Sequence, residues 1–219
     1  MFKKLLIVNA TPKTDGLTYS FVEAAEESAK SLGLEAETLR LSSLNLQKCA
    51  MCYDGWGICF KEHRCIFGDK DGFDDVQKTI ASADAYVYVS PVYWGEYSEE
   101  LKVFWDKLRR CETTKQWDDK NDVESGHKNK PAIIVAVAGG GGGGILSTLT
   151  AMERAVDQVG SHSGSQNGTA GIFDYIGVNR WNQTYKREAL KAAIAEMTAI
   201  CRDNKPVATM NHLADLEKF

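Results

Sequence analysis

Five short, apolar, β-prone segments alternate along the chain with longer segments whose apolar residues recur every three to four positions. The short segments are Lys4–Asn9, Glu35–Leu41, Ala85–Ser90, Ala132–Ala138 and Gly168–Tyr175. The longer segments are Thr18–Leu32, Phe73–Ala83, Glu99–Cys111, Ile145–Val159 and Asn182–Arg202. Strands that alternate with helices predict a parallel sheet covered by helices on both faces. We therefore expect an α/β fold with a doubly wound, five-stranded parallel sheet of strand order 2-1-3-4-5, whose ligand sites lie outside the carboxyl ends of the strands.

The length of 219 residues fits one domain with a substantial core. We interpret residues 1–219 as a single domain with two additions, a cysteine-bearing loop at residues 42–70 after strand two and a C-terminal tail at residues 204–219. The polar segment at residues 113–130 is predicted to be a solvated excursion from the domain.

Charge and hydropathy narrow the range of partners. The formal net charge is -4, so the chain has no basic excess to neutralise phosphates, and we expect no nucleic-acid partner. The longest purely apolar run, Ala132–Ala138, is far shorter than the roughly 20 residues that cross a bilayer, so we expect no membrane partner. The apolar run Leu5–Val8 is too short for the core of a signal peptide, which predicts a cytoplasmic protein.

The connection from strand one to helix one has the composition of a phosphate-binding loop. It carries hydroxyls at Thr11, Thr14 and Thr18 and a flexible Gly16, directly before a helix N-terminus. Backbone amides and the helix dipole favour an anion at such a position. The alternative is a capped helix start with Thr18 near the N-cap. The loop lacks the GxGxxG and GxxxxGK[ST] patterns, which disfavours a dinucleotide turn or a P-loop.

The connection after strand three, Ser90–Ser98, is rich in aromatic residues. Tyr93 and Trp94 follow the strand, with Pro91 and Gly95 shaping the turn. Aromatic side chains at the carboxyl end of a strand suit a flat, mostly apolar ring. The alternative is that they close the core or form a subunit contact.

Six consecutive glycines, Gly139–Gly144, follow strand four. They permit close backbone approach to a planar ligand, whereas without a ligand they would form a flexible loop. The run contains a formal GxGxxG, but a run of six glycines fits almost any glycine template. In a sheet of order 2-1-3-4-5 the loops after strands one, three and four are neighbours. A phosphate loop, an aromatic wall and a glycine wall together predict an FMN site, with an NAD-binding dehydrogenase built on the glycine run as the weaker alternative.

Several of these sequences resemble one known family. Asn9-Ala-Thr-Pro-Lys13, Ser90-Pro-Val-Tyr-Trp-Gly95, the helix Glu99–Arg109 and a cysteine cluster before Asp69 and Asp71 resemble the flavodoxin-like NADPH-dependent FMN reductases, especially their iron–sulfur flavoprotein branch. The resemblance implies a flavodoxin-like fold in which the phosphate is held by Thr11, Lys13, Gly16, Leu17 and Thr18. It also implies that the isoalloxazine is flanked by Pro91, Val92, Tyr93, Trp94, Gly95, Gly139, Gly140 and Gly141.

Four cysteines, Cys49, Cys52, Cys59 and Cys65, are spaced C-x2-C-x6-C-x5-C. Four thiolates within so short a segment can hold a [4Fe–4S] cluster or a zinc ion. Two other interpretations of these cysteines are redox-active thiols, such as a Cys49–Cys52 pair, and structural cysteines without a ligand. The iron–sulfur flavoproteins have a more compact spacing between their second and third cysteines.

The remaining candidates in and beyond this cluster are interpreted as structural. His63 lies among the four cysteines and is predicted to be an exposed loop residue, whereas Cys111 and Cys201 stand alone in helices and are predicted to be core residues.

These features predict an FMN-dependent oxidoreductase. Electrons would pass from NAD(P)H, or from a reduced ferredoxin-like carrier, to a quinone, a flavin or another small acceptor. The flavin itself supplies the bond-making chemistry, so no catalytic residue is assigned. The rings expected to face the substrate are those of Trp56, Tyr93, Trp94 and Tyr97. The alternative function is a non-enzymatic electron-transfer flavoprotein or redox sensor, and the resemblance implies a homodimer or homotetramer.

Overall fold

The computed structural model describes residues 2–116, 123, 125–128, 130–159 and 171–203. Within them five parallel strands form one sheet of order β2-β1-β3-β4-β5. The strands are β1 (Lys4–Asn9), β2 (Glu35–Arg40), β3 (Ala85–Pro91), β4 (Pro131–Val137) and β5 (Gly171–Val178). The predicted flavodoxin-like fold class and strand order are therefore confirmed.

Seven helices connect or follow the strands in the described residues. They are α1 (Gly16–Ser31), α2 (Cys59–Glu62), α3 (Gly68–Asp71), α4 (Phe73–Ser82), α5 (Glu99–Gln116), α6 (Ile145–Gln158) and α7 (Gln183–Arg202), with a short 3-10 helix at Leu41–Ser43. Helices α1 and α7 cover one face of the sheet, whereas α4, α5 and α6 cover the other. Among the described residues, no helix combines the length and the apolarity that a bilayer span requires.

The strand sequences place side chains alternately on these two faces. On β1, Leu5 and Ile7 pack against α1 and α7, and Leu6 and Val8 pack on the opposite face. This is the two-residue period of a strand. Every residue of β3 and β4 is buried, as expected for central strands covered on both sides.

Three elements have a boundary that differs from the predicted one by more than one residue. Helix α1 begins at Gly16, two residues before Thr18, because the extended backbone ends at Asp15 (φ -147°). Helix α5 continues from Cys111 to Gln116, since no glycine or proline interrupts that stretch. Strand β5 begins at Gly171 and continues to Val178, and residues 160–170, which include the predicted start of this strand, lie outside the described residues.

The predicted solvated excursion at residues 113–130 is wrong for its described part. Ser125, Gly126 and His127 are buried. The buried carboxylate of Glu112 accepts the Gly126 N–H at 2.6 Å, and the Tyr88 hydroxyl lies 2.7 Å from Nε2 of His127. A buried carboxylate needs such hydrogen-bond partners, and this segment supplies one of them. The single-domain interpretation stays a prediction, and the tail at residues 204–219 lies outside the described residues.

His127 is expected to make the stability of the fold depend on pH. Burial lowers the pKa of His127 from 6.5 to about 3. Between these two values the unfolded chain binds a proton that the folded chain does not, so the free energy of unfolding falls as the pH is lowered from 6.5 toward 3. The slope from this one group approaches about 1.4 kcal/mol per pH unit.

Urea unfolding of the wild type and of two variants, measured from about pH 4 to about pH 7, tests this expectation. His127→Gln should lose that part of the slope. Tyr88→Phe, which removes only the hydroxyl beside the ring, should lower the stability at every pH but keep the slope, because burial sets the pKa. Equal slopes in His127→Gln and the wild type would contradict the assignment.

Candidate functional site

Three of the connections after strands emerge side by side at one edge of the sheet. Beyond the strand ends, the Ala10 N–H donates to the Val89 carbonyl at 3.0 Å, and the Val92 N–H donates to the Val137 carbonyl at 2.9 Å. After β4, the Ala138 N–H likewise donates to the Val178 carbonyl at 2.8 Å, so the backbone ladder continues into the first residues of the loops after β1, β3 and β4. The structure brings together the three loops that the sequence singled out.

The loop after β1 ends at a helix N-terminus that no side chain of the described residues caps. Asp15 occupies the N-cap position, but its carboxylate caps no backbone amide of α1. Gly16 has φ +85°, and an added Cβ would meet no described atom within 4 Å. Thr18 lies within the first turn, so the alternative of a capped start near Thr18 is wrong. The first-turn amides, including those of Gly16, Leu17 and Thr18, are suited to bind an anion.

Side chains within the same loop fix its shape. Thr11 is buried, its N–H donates to Asn9 Oδ1 at 2.9 Å, and its hydroxyl oxygen accepts the Lys13 N–H at 3.3 Å. The Lys13 side chain is exposed. Asn9 Nδ2 is buried without a hydrogen-bond partner among the described residues. A buried amide donor left unpaired is costly unless a ligand or water accepts its hydrogen bond, so this donor also fits a negatively charged group.

The aromatic loop after β3 makes a tight turn from Tyr93 to Glu96. The backbone N–H and carbonyl groups of these two residues are hydrogen-bonded to each other at 2.8 and 3.0 Å. The two central residues, Trp94 (φ +53°) and Gly95 (φ +82°), are both left-handed. A left-handed backbone at a bulky residue costs about 1–3 kcal/mol and concentrates at functional sites. Trp94 is nevertheless fully exposed, which is unusual for an indole without a functional role.

The glycine run after β4 divides into two parts. Gly142 and Gly144 need to be glycine for internal reasons, because both have positive φ and a Cβ on Gly144 would lie 2.6 Å from the Gly95 Cα. Gly139, Gly140 and Gly141 have no positive φ, and a Cβ on any of them would meet no described atom within 4 Å. These three exposed glycines leave an open surface beside the aromatic loop, which suits close approach by a flat ring.

The four predicted substrate-facing rings have different surroundings. Tyr93 is half-exposed beside Trp94 in the aromatic loop. Tyr97 is half-buried and lines a groove between α5 and α6. Trp56 lies in the cysteine-bearing loop, where its ring is 4.4 Å from the Arg110 guanidinium. The sequence alone could not separate these positions, because each ring lies in a loop.

The four clustered cysteines lie around one cavity between the loop at residues 42–70 and helix α5. Cys49, Cys52, Cys59 and Cys65 line it together with Cys111 of α5, and we call it the cysteine cavity. All five are free thiols. The four cysteine side chains of the loop therefore meet at one cavity, although they come from different parts of the loop.

These donors are not grouped around one point in the described part of the chain. Around one zinc ion, thiolates at about 2.3 Å from the metal lie about 3.8 Å from one another. In the described part of the chain, no three Cys, His, Asp or Glu side chains are grouped so that they could hold one metal ion. A four-iron cluster spaces its cysteine ligands more widely, and four thiols facing one cavity are its usual donor set.

One face of α5 packs against the cysteine-bearing loop. Lys107, Arg110, Cys111 and Thr114 recur at helical spacing on this face. Lys107, Arg110 and Cys111 line the cysteine cavity, and the Thr114 hydroxyl donates to the Cys59 carbonyl at 2.7 Å. Sequence reasoning missed the two cations and the threonine. The signal that could have found them is a polar i, i+3, i+7 series on a helix whose neighbouring positions are apolar.

His63, Cys111 and Cys201 can be compared with the positions predicted for them from the sequence. His63 is buried, and its Nδ1 lies 3.0 Å from the Thr114 hydroxyl, so the expected exposed loop position is wrong. The reason is that the loop packs His63 onto α5. Cys111 is a core residue as predicted, and Cys201 is half-buried and packs against the core.

Burial and charge act in opposite directions on the cavity thiols. Burial raises the pKa of the Cys65 thiol, a hydrogen bond with the Phe67 backbone and the Lys107 ammonium lower it, and the Asp71 carboxylate raises it. Burial raises the pKa of Cys111 much further. A nearby cation lowers the pKa of each thiol toward the thiolate form that binds metal, Lys107 acting on Cys65 and Lys115 on Cys111.

The NADPH-dependent FMN reductase family matches residues 3–162, and the chain belongs to this family. It is 28% identical over 110 residues to an iron–sulfur flavoprotein of Methanosarcina thermophila and 30% identical over 109 residues to one of Archaeoglobus fulgidus. These alignments cover 49% and 48% of this chain and 54% and 49% of the relatives, so the match spans about half of their length. The resemblance to the iron–sulfur flavoprotein branch is thereby confirmed.

Solved structures share the fold at low sequence identity. RosB with a bound 8-demethyl-8-formylriboflavin-5'-phosphate superposes with a TM-score of 0.63 at 15% identity, covering 99% of this chain and 86% of that one. The NADH:FMN oxidoreductase EMOB superposes with a TM-score of 0.61 at 12% identity, covering 90% and 89%. A flavodoxin of Streptococcus pneumoniae gives 0.54 at 13% identity, covering 91% and 99%. These matches support the flavodoxin-like fold.

The contact between Gly144 and Gly95 can be tested with a matched pair of substitutions. Gly144→Ala should destabilise the fold by about 1–3 kcal/mol, because it combines positive φ with a backbone clash. Gly143→Ala should change the stability by no more than about 0.5 kcal/mol, because its Cβ meets open space. Thermal and urea unfolding of both variants measures the difference. Equal stability of the two variants would mean that the two loops do not pack as described.

Proposed function

We propose that this chain is an FMN-dependent oxidoreductase that takes electrons from NAD(P)H, or from a reduced carrier of the ferredoxin kind, and passes them to a small acceptor such as a quinone or a flavin. The observation that carries the proposal is the open surface of Gly139, Gly140 and Gly141 beside the strained, fully exposed Trp94. Nothing within the described chain requires glycine at those three positions. A planar ligand would require it.

The phosphate of FMN would be held at the first turn of α1. Gly16, Leu17 and Thr18 would contribute their uncapped amides. The Leu17 side chain packs against the core, so its contribution is limited to the backbone. Thr11 would offer its hydroxyl proton and Lys13 its exposed ammonium. A charge-assisted hydrogen bond to phosphate is roughly twice as strong as a neutral one.

The ring would lie between two walls. Pro91 and Val92 are fixed to the sheet, since Pro91 ends β3 and the Val92 N–H is bonded to Val137. Tyr93, Trp94 and Gly95 would extend from this base along one side of the ring, and the three open glycines along the other. Bound FMN supplies the exchange of a hydride or of single electrons, so the chain needs no acid or base of its own. Its residues bind, orient and shield the ring.

Cys49, Cys52, Cys59 and Cys65 would hold a [4Fe–4S] cluster. Support comes from their placement around one cavity and from the relatives named iron–sulfur flavoproteins. A cluster there would store and relay single electrons. Zinc remains the weaker candidate, because the donors are not grouped for one ion in the described part of the chain.

The second candidate is an electron-transfer flavoprotein or redox sensor that turns over no small substrate. The observation in its favour is the cysteine cavity itself, since a second redox centre suits exchange with a protein carrier. A homodimer or homotetramer and a cytoplasmic location both stay predictions. The two candidate functions differ in what they do with reduced nicotinamide.

FMN binding is tested by titrating the purified protein with FMN and following flavin fluorescence. Gly140→Val should weaken FMN binding at least tenfold, because a branched side chain would occupy the space of the ring, which is about 1.4 kcal/mol. The substitution should leave the melting temperature close to that of the wild type, since a Cβ on Gly140 meets no described atom. Unchanged FMN affinity in Gly140→Val would remove the glycine run from the site.

Turnover distinguishes the enzyme from the carrier. FMN-loaded protein is mixed with NADH or NADPH and with menadione or ferricyanide, and nicotinamide absorbance is followed. We expect oxidation of at least one nicotinamide that depends on bound FMN. A protein that binds FMN but oxidises neither nicotinamide with either acceptor would favour the electron carrier, and a protein that binds no FMN would refute both.

A further inference from the structure

Lys107 is a buried cation beside the clustered thiols. Its side chain is 0% exposed, and it forms an ion pair with Asp71, whose side chain is 2% exposed. Its ammonium also lies 4.8 Å from the centre of the Phe73 ring. An ammonium group so far from water is costly to keep unless it is paired and hydrogen-bonded. The burial of the Lys107 ammonium beside the thiols therefore needs a functional explanation.

The structure around Asp71 makes this arrangement rigid. Besides Lys107, the Asp71 carboxylate accepts the Gln47 N–H at 2.8 Å and the Phe73 N–H at 3.2 Å. Gln47 precedes the first clustered cysteine, and Asp71 follows the last. The ion pair thus fastens both ends of the cysteine segment to α5.

The charged side chains that line the cysteine cavity are both cations, and the Asp71 carboxylate lies behind one of them. Among its described lining side chains, the charged ones are Lys107 and Arg110, and no acidic side chain is present. Asp71 pairs with Lys107 but does not line the cavity. Arg110 is half-buried at a different point of the wall, where it donates to the Gly55 carbonyl and stacks on Trp56. Two cations face the thiols in a chain whose formal net charge is -4.

We propose that Lys107 and Arg110 raise the reduction potential of a cluster held by Cys49, Cys52, Cys59 and Cys65. The inference rests on the proposed iron–sulfur centre. One-electron reduction adds one negative charge to the cluster, with no bond formed or broken, and the electron comes from the reductant supplied. Cations in a poorly solvated cavity stabilise the more negative form. Lys107 acts as the positive end of its ion pair with Asp71, and Arg110 acts as a cation without an acidic partner in the cavity lining.

The variants are chosen so that no buried carboxylate is left unpaired. Lys107→Met combined with Asp71→Asn removes both charges of the ion pair, and Lys107→Arg keeps the cation. Arg110→Gln removes the second cation without touching the ion pair. Lys102→Met is the matched control, because Lys102 lies on the same helix, is paired with exposed Asp106 and does not line the cysteine cavity.

Each protein is purified or reconstituted without oxygen. Iron and acid-labile sulfide are measured per chain, and the cluster is titrated with dithionite while its reduced form is followed by electron paramagnetic resonance. The double variant removes a positive and a negative charge together, so we expect it to lower the equilibrium constant for reduction by less than the tenfold, or about 59 mV, that the loss of one uncompensated cation could give. Arg110→Gln removes one net positive charge from the cavity wall and should lower the potential as well. Lys107→Arg and Lys102→Met should stay close to the wild type.

The outcomes separate this inference from the proposed function. A wild-type protein that takes up no iron and sulfide refutes the cluster itself. A wild-type protein with a full cluster, whose potential is unchanged in the double variant and in Arg110→Gln, overturns only the role of the two cations. If the double variant takes up no cluster, the potential of Arg110→Gln decides: a lower potential supports the inference, and an unchanged one overturns it.

Discussion

Burial of the central strands on both faces is the constraint on which the two sites depend. Because β3 and β4 are fully buried, their backbones have little freedom, and the loops that follow them leave the sheet at fixed positions. The hydrogen bond from the Val92 N–H to Val137 continues this order beyond the strand ends. A strained turn such as that at Trp94 can persist only on a base of this kind, where the surrounding structure determines its conformation.

Helix α5 connects the edge of the sheet to the cysteine cavity. At its start, Ser98 is buried, donates its hydroxyl proton to the Ala10 carbonyl at 2.8 Å and accepts the Leu101 N–H at 3.4 Å. The first interaction ties the helix to the loop after β1, and the second caps its first turn. Further along, Lys107 and Arg110 face the thiols. One helix therefore contacts both the loop after β1 and the cysteine cavity.

Buried polar groups account for most of what sequence reasoning missed. His63 is predicted to be an exposed loop residue, and the polarity of residues 113–130 predicts exposure for His127, yet His63 is buried against α5 and His127 against β3. The partners that make this burial tolerable, Thr114 and Tyr88, lie 51 and 39 residues away along the chain. Local polarity cannot reveal such pairs, because a polar residue is solvated or buried according to what distant segments bring to it.

The sequence by itself determined the α/β class and the identity of the three loops, because these follow from local periodicity and from where each strand ends. It allowed the strand order 2-1-3-4-5, which the pairing of the strands confirms. It also determined that four cysteines are close together, since they are close in the chain. The tertiary structure alone decided that Gly144 packs on Gly95 while Gly139, Gly140 and Gly141 stay open. It alone placed Lys107, 36 residues from Asp71, beside the thiols. These contacts join remote segments, and only packing of the whole chain defines which remote segments meet.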